Sequence, residues 1–255
     1  MFSKSNKPMK SFELPLSHCV QRKGIMGNNN MEHQTKKTRI VLIIAAIFFT
    51  LGLAGCRQLN AVFSPQATAT PGDVLFIDDF SNPPNGWGGA DSDGGKISFK
   101  YEGMLFSVVE PNSLQWSVNK TEISDARIEV DAILAAGSTN DNFGIICRYQ
   151  DDENFYGFLY THDGYYAIFK YVDGTMIMNT EDGNLSFSEK IQRGGAGNRL
   201  QATCQENVLT LSVNDEILAK VMDDSFKTGK FGLFAGTYDG AGSAVFFDNF
   251  LVLQP

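Results

Sequence analysis

The stretch Phe155-Tyr-Gly-Phe-Leu-Tyr-Thr-His-Asp-Gly-Tyr-Tyr-Ala-Ile-Phe-Lys-Tyr-Val-Asp-Gly-Thr-Met-Ile-Met178 decides the fold class. Aromatic and aliphatic residues fill three short runs, and Asp163-Gly164 and Asp173-Gly174 punctuate them. A type I′ hairpin turn needs two residues with positive φ, and Asp-Gly supplies them at little steric cost. The stretch from Tyr156 to Met178 therefore predicts a three-stranded antiparallel meander. Working outward, short apolar runs broken by Gly, Asp and Asn continue in both directions from Asp73 to the C-terminus, with no helical period sustained over ten residues. Runs at Leu75–Asp79, Lys96–Tyr101, Met104–Val109, Leu114–Val118, Ala126–Leu134 and Asn142–Gln150 precede the meander. Runs at Asn198–Gln205, Val208–Val213, Glu216–Val221, Lys230–Tyr238 and Ala244–Leu253 follow it. Asn214-Asp215 marks one more hairpin, with turn residues less suited to positive φ. Fourteen short strands in one domain imply two stacked sheets. The expected fold is all-β, a two-sheet antiparallel sandwich, and no internal repeat of fixed period is present.

Charge is distributed unevenly along the chain. Of 21 Lys+Arg and 29 Asp+Glu, eight and two fall in residues 1–55, so the part from Cys56 onward carries a net charge of about −14. A body of that sign repels nucleic acid and anionic lipid surfaces, so no nucleic-acid partner is expected.

Lys36-Lys37-Thr38-Arg39 precedes an apolar run from Ile40 to Leu53, and Ala54-Gly55-Cys56 closes it. A basic segment, an apolar segment and small residues in that order read as an export signal. The run is shorter than the roughly 20 residues of a membrane-spanning helix, which makes a permanent anchor the weaker reading. Leu53-Ala54-Gly55-Cys56 resembles a bacterial lipobox. The resemblance implies cleavage before Cys56, diacylglycerol on its thiol, and a lipid-anchored extracytoplasmic protein, since two or three acyl chains hold stably where one is marginal. Met31 is the better start for such a signal. Residues 1–30 then form a non-native extension, the alternative being a long basic segment. Residues 31–55 are the signal peptide and 56–72, rich in Gln, Ala, Thr and Pro, a flexible tether. Residues 73–255 are the sandwich domain. Arg57 is not an acidic retention signal, so in a two-membrane cell an outer location is open.

Cys147 and Cys204 are the two cysteines of the body, each inside an alternating apolar run. An even pair in an exported domain points to a disulfide; two buried free thiols are the alternative.

The blocks Asp78-Asp79-Phe80-Ser81, Gly86-Trp87, Phe143-Gly-Ile-Ile-Cys-Arg-Tyr-Gln-Asp151, Asn154-Phe-Tyr156 and Asp163-Gly-Tyr-Tyr-Ala-Ile-Phe-Lys170 share an order with Asn198-Arg-Leu200, Leu209-Thr-Leu-Ser-Val-Asn214, Gly229-Lys-Phe-Gly-Leu233 and Phe247-Asp-Asn-Phe-Leu-Val252. From Asp78 to Val252 this order resembles the concanavalin A-like lectin and glucanase superfamily. It is similar in particular to laminin-G-like modules and to the 3-keto-disaccharide hydrolases. The resemblance implies a jelly-roll sandwich. It leaves open a carbohydrate-binding module, a hydrolase or a protein-interaction domain, because fold does not settle function. Some relatives of this architecture hold a structural calcium where the first and last strands meet, which corresponds here to Asp79 and Asp248; acids that cap turns are the alternative, and no cofactor and no metal site is expected.

Candidate site residues are few. Arg127-Ile-Glu129-Val-Asp131 resembles the laminarinase-type glycosidase signature, and the period of two places Arg127, Glu129 and Asp131 on one face of a strand. The second glutamate needed for a two-carboxylate mechanism is replaced by Ile133 and Leu134, so a charged solvent face explains the motif as well. His162 is the body's single histidine and reads as an exposed loop-tip residue. The loops Asp151-Asp152-Glu153-Asn154 and Asp91-Ser-Asp-Gly-Gly95 are oxygen-rich without full calcium-loop spacing. Sugars offer flat CH faces to amphipathic rings, which makes Trp87, Tyr160, Tyr165 and Tyr166 the candidate ligand contacts. For Trp87 and Trp116 the favoured reading is a place in the core.

Overall fold

Alternation of apolar and polar side chains along the chain gives strands throughout. The computed structural model describes residues 70–82, 85–89, 91–92, 94–180 and 183–255. The expected signal peptide, Cys56 and the tether up to residue 69 lie outside the described residues. The strands are β1 (Val74–Asp78), β2 (Asp91–Ser92), β3 (Gly95–Lys100), β4 (Gly103–Val108), β5 (Leu114–Ile123) and β6 (Ala126–Ala136). Next come β7 (Asn142–Asp151), β8 (Asn154–Thr161), β9 (Tyr165–Val172), β10 (Thr175–Met178) and β11 (Ser186–Phe187). The chain closes with β12 (Asn198–Gln205), β13 (Val208–Val213), β14 (Glu216–Met222), β15 (Gly229–Gly236) and β16 (Ser243–Leu253). The short β2 and β11 are additions to the fourteen expected runs.

Two antiparallel sheets result. The nine-stranded sheet runs β14-β13-β12-β6-β16-β4-β3-β2, with β1 also on β16, and the seven-stranded sheet runs β10-β9-β8-β7-β15-β5, with β11 also on β9. Strand β16 serves two partners on one side: Ser243–Phe247 pairs with β4, and Phe250–Leu253 pairs with β1. Between these segments the ladder to β6 is irregular and Asn249 takes φ 52°. The expected meander is present as β8-β9-β10.

The turns differ from one another. Asp173-Gly174 has φ of 50° and 73°, the pair of positive values a type I′ turn requires. Asn214-Asp215 also has both φ values positive, 50° and 66°, and Asn214 offsets the strain by accepting Arg199 N–H at 2.9 Å and donating to Lys190 O at 3.0 Å. The β8–β9 loop is not a type I′ turn. It holds three residues, His162 to Gly164, with positive φ only at Gly164 and Thr161 Oγ1 accepting the Tyr165 amide at 2.9 Å. The extra residue turns the His162 side chain inward. It is fully buried, stacked on Phe143 with ring centroids 4.1 Å apart, so the expected loop-tip exposure is wrong.

The core lies between the sheets. Ile128 and Val130 of β6 and Leu209 and Leu211 of β13 meet Ile145, Phe158, Ile168 and Leu233 of the other layer. Cys147 on β7 and Cys204 on β12 are disulfide-bonded across this core, with Cα atoms 6.9 Å apart. Arg148, next to that cysteine, is also fully buried. Its guanidinium donates to Ser124 O, Glu206 O, Phe226 O and Asp125 Oδ1 at 2.9–3.1 Å, satisfying the buried cation by loop carbonyls and one carboxylate.

Candidate functional site

The inward side chains of the seven-stranded sheet fill the core, and its outward ones form a second apolar layer. Cross-strand register aligns Trp116, Phe234, Gly144, Leu159 and Ala167 in one row. Val118, Gly232, Ile146, Gly157, Phe169 and Met178 form the next. Glycine in a strand interior marks a close approach by a neighbour. A Cβ at Gly157 would stand 2.0 Å from the Phe169 ring, and one at Gly144 would meet Phe234 at 2.9 Å, so these rings lie down on the sheet. That is why Phe155, Phe169 and Phe234 are fully buried although they point away from the core. Phe155 stacks on Tyr171 at 4.8 Å and contacts Trp116 and Tyr149 at 5.8 and 5.7 Å. Asp152 accepts both the Trp116 indole N–H at 3.1 Å and the Tyr149 hydroxyl at 2.5 Å, fixing the ring edges. Burial and the Asp152 carboxylate push the Tyr149 phenol well above its ordinary pKa, so it is a neutral donor.

One end of this layer opens into a cavity of about 190 Å³. Leu114, Leu159, Phe169, Tyr171, Met176 and Phe234 form its apolar wall, and Asn112, Ser113, Asn142 and Thr237 its polar side. The rim is held before any ligand arrives: Thr237 N–H donates to Ser113 O at 2.9 Å, Asn112 N–H to Tyr238 O at 3.0 Å, and Ser113 N–H to Thr237 Oγ1 at 3.2 Å. Asn142 Oδ1 is buried and has no hydrogen-bond partner. An unpaired buried acceptor costs about 1–3 kcal/mol, and a donor in the cavity reaches this oxygen only once the Asn142 side chain turns outward. The lining contains no carboxylate, histidine, lysine or arginine. A flat apolar wall facing neutral amides and hydroxyls suits a neutral polyhydroxyl ring.

Most residues singled out by sequence lie elsewhere. Tyr160 is in the core, its hydroxyl 3.0 and 2.9 Å from Gln201 O and Ser212 O, and burial drives its pKa far up; it is no ligand contact. Trp87 is also in the core, 4% exposed, among Phe76, Phe80, Phe231 and Phe250, and its indole N–H donates to Asp78 Oδ2 at 3.0 Å. Trp116 reverses the expectation of a core place by standing half-buried on the outer face. Tyr166 points inward and donates to Leu218 O at 3.1 Å. Tyr165 is 40% exposed, beyond the cavity at the β8–β9 loop.

Arg127, Glu129 and Asp131 do share one face of β6, the outer face of the other sheet. Glu129 is gripped by Arg127 at 2.6 Å and Arg199 at 3.1 Å, and Asp131 accepts from Arg199 at 3.2 Å and Asn249 at 2.9 Å. Two carboxylates neutralised in this way form a charged solvent face. Asp151 accepts Glu153 N–H and Asn154 Nδ2 at 2.9 Å, closing its own turn, and Asp91 pairs with Lys96; Asp93 lies outside the described residues. Asp79 accepts from the Ser81 hydroxyl and amide, which lower its pKa, and Asp248 accepts the Asn249 amide. Among the described residues no three His, Cys, Asp or Glu side chains gather as metal ligands.

Leu114, Asn142, Phe169 and Phe234 were missed by the sequence reading. The available signal was the run of glycines at alternate outward positions facing phenylalanines on adjacent strands.

No protein family and no curated protein matches the chain by sequence. Solved structures match by shape. The carbohydrate-binding module CBM66 of Bacillus subtilis superposes with a TM-score of 0.53 at 16% identity, covering 66% of this chain and 96% of that one. A Bacillus subtilis protein of unknown function with a galectin-like fold gives 0.52 at 14%, covering 73% and 98%. The Bacillus licheniformis β-glucanase gives 0.52 at 12%, covering 74% and 100%. The class defined is an all-β two-sheet jelly-roll sandwich, as the order of sequence blocks implies. At these identities the likeness is one of fold.

Proposed function

We propose that the chain is a carbohydrate-binding module whose site is the outer face of the seven-stranded sheet. The observation that carries this reading is the cavity of about 190 Å³ with its apolar wall and its neutral polar side, which includes Asn142. Apolar surface takes the CH face of a sugar, and Asn142 accepts one of its hydroxyls. The shape likeness to a carbohydrate-binding module and to a β-glucanase supports the same class of ligand. Placement outside the cytoplasmic membrane on an acylated Cys56 completes the proposal and rests on the sequence of the leader.

The test is affinity electrophoresis of the full-length chain in detergent through gels containing neutral polysaccharides, acidic polysaccharides or peptidoglycan, with and without EDTA. Retardation by a neutral glycan that Asn142→Leu abolishes is expected. Free mobility in every gel overturns the reading and moves the weight to a protein partner in the envelope. The β-glucanase likeness favours a second reading, a glycoside-acting hydrolase, whose 3-keto-disaccharide type rests on the order of sequence blocks, and sugar release from a retained polysaccharide would establish it. Palmitate labelling lost in Cys56→Ala tests the anchor.

A further inference from the structure

The cavity has a neighbour. At the end of the same sheet a second depression of about 220 Å³ is bounded by Asn140, Thr161, Asp163, Tyr165, Leu185 and Tyr238. The two share a wall: Asn142 of the first pairs in register with Thr161 of the second, and Thr237 of the first precedes Tyr238 of the second. The second depression has its own unpaired acceptor. Asn140 Oδ1 is buried without a partner, while its Nδ2 donates to Asp239 Oδ1 at 3.4 Å, which fixes which end of the amide is the oxygen. Asn140 and Asn142 are two residues apart, so their backbones are at most about 7 Å from each other. One asparagine thus lines each depression, Asn142 the first and Asn140 the second.

Tyr165 and Tyr238 are 40% and 60% exposed, a large outlay of aromatic surface at a loop end. Tyr165 is held in place by edge contact with Phe187 at 5.5 Å, and the Tyr238 backbone is tied to Asp141 Oδ1 at 3.2 Å. Neither lining contains a cation, and the second contains Asp163. A carboxylated or sulfated sugar would meet like charge there with no counter-ion.

We propose that the second depression is a sugar subsite contiguous with the first, so that the recognised unit is a neutral oligosaccharide spanning both, one ring against Tyr171 and Met176 and the next between Tyr165 and Tyr238. This rests on the carbohydrate-binding reading above. Titration calorimetry of the full-length chain tests it, using glucose with β-1,3-gluco-oligosaccharides and xylose with xylo-oligosaccharides of up to six units, and oligogalacturonates as acidic counterparts. The expected result is a rise of tenfold or more in affinity from the single sugar to the two- or three-unit chain of one neutral series. Tyr165→Ala with Tyr238→Ala should abolish that rise and leave the single-sugar affinity in place, and the acidic series should not bind. If the double variant binds oligosaccharides as the parent does, while Asn142→Leu abolishes binding, the second subsite is wrong and the first stands. Preference for the acidic series also overturns it. A chain that binds neither neutral series loses both readings.

Discussion

The two outer faces of the sandwich show opposite solutions to one problem. Each sheet turns half its side chains away from the core. On the nine-stranded sheet these are Arg127, Gln201, Thr203, Thr210, Ser212 and Lys220, lining an open depression of about 450 Å³ in which polar groups satisfy one another or face water. On the seven-stranded sheet phenylalanines fold over glycines and make a second apolar layer, with two small hollows at its end. The polar face is larger in volume and spends its carboxylates on arginine partners; the aromatic face leaves two amide oxygens unspent. Buried unpaired atoms also occur away from both hollows, at Gln115 Oε1, the His162 ring and Ser243 Oγ, so the apolar wall beside neutral amides, rather than the size of a hollow, sets the aromatic face apart.

This contrast can be broken by measurement. The largest effect belongs to the bond joining the two sheets. Cys147→Ala with Cys204→Ala opens a loop of 57 residues and should lower unfolding free energy in urea by about 4 kcal/mol. Phe169→Ala tests whether the outward layer is a true second core. A loss of about 3 kcal/mol or more is expected, and one below 1 kcal/mol would show the rings to be surface decoration. Burial lowers the His162 pKa from 6.5 to about 4, against the pull of Asp141 and Asp163. The folded protein therefore binds this proton more weakly than the unfolded chain. Stability should be level above pH 6.5 and fall by no more than about 3 kcal/mol toward pH 4, a fall that His162→Leu removes from the pH profile. Asn142→Leu should weaken glycan binding at least tenfold, about 1.4 kcal/mol, with unfolding little changed. Smallest is Thr210→Val on the polar face, for which a stability change within about 0.5 kcal/mol and unaltered glycan affinity are expected; a matching loss of binding would transfer the site to that face.

The strand order was legible because Asp-Gly and Asn-Asp turns and alternating apolar runs carry local, short-range information. The cross-sheet disulfide was legible from cysteine parity. The face of each aromatic was not. Tyr160 and Tyr166 obey the same period of two as Trp116 and Tyr171, and which parity faces the core depends on the layer a strand joins, a long-range property; Trp87 sits in a loop, where no period applies. His162 was misplaced by one residue of loop length, since a three-residue loop reverses the side that a two-residue turn would give. The cavity was hidden for a similar reason: Asn142, Thr237 and Phe169 come from distant strands, and only their register brings them together.

The pairing of β1 with β16 has a consequence for how the domain is carried. Gly72 N–H donates to Gln254 O and Gln254 N–H to Asp73 O, each at 2.8 Å, so the first and last described segments leave from one corner, in the layer that does not carry the aromatic face. A body gripped at either end is held by its back. Both ends therefore leave from the sheet opposite the Trp116 and Tyr171 face.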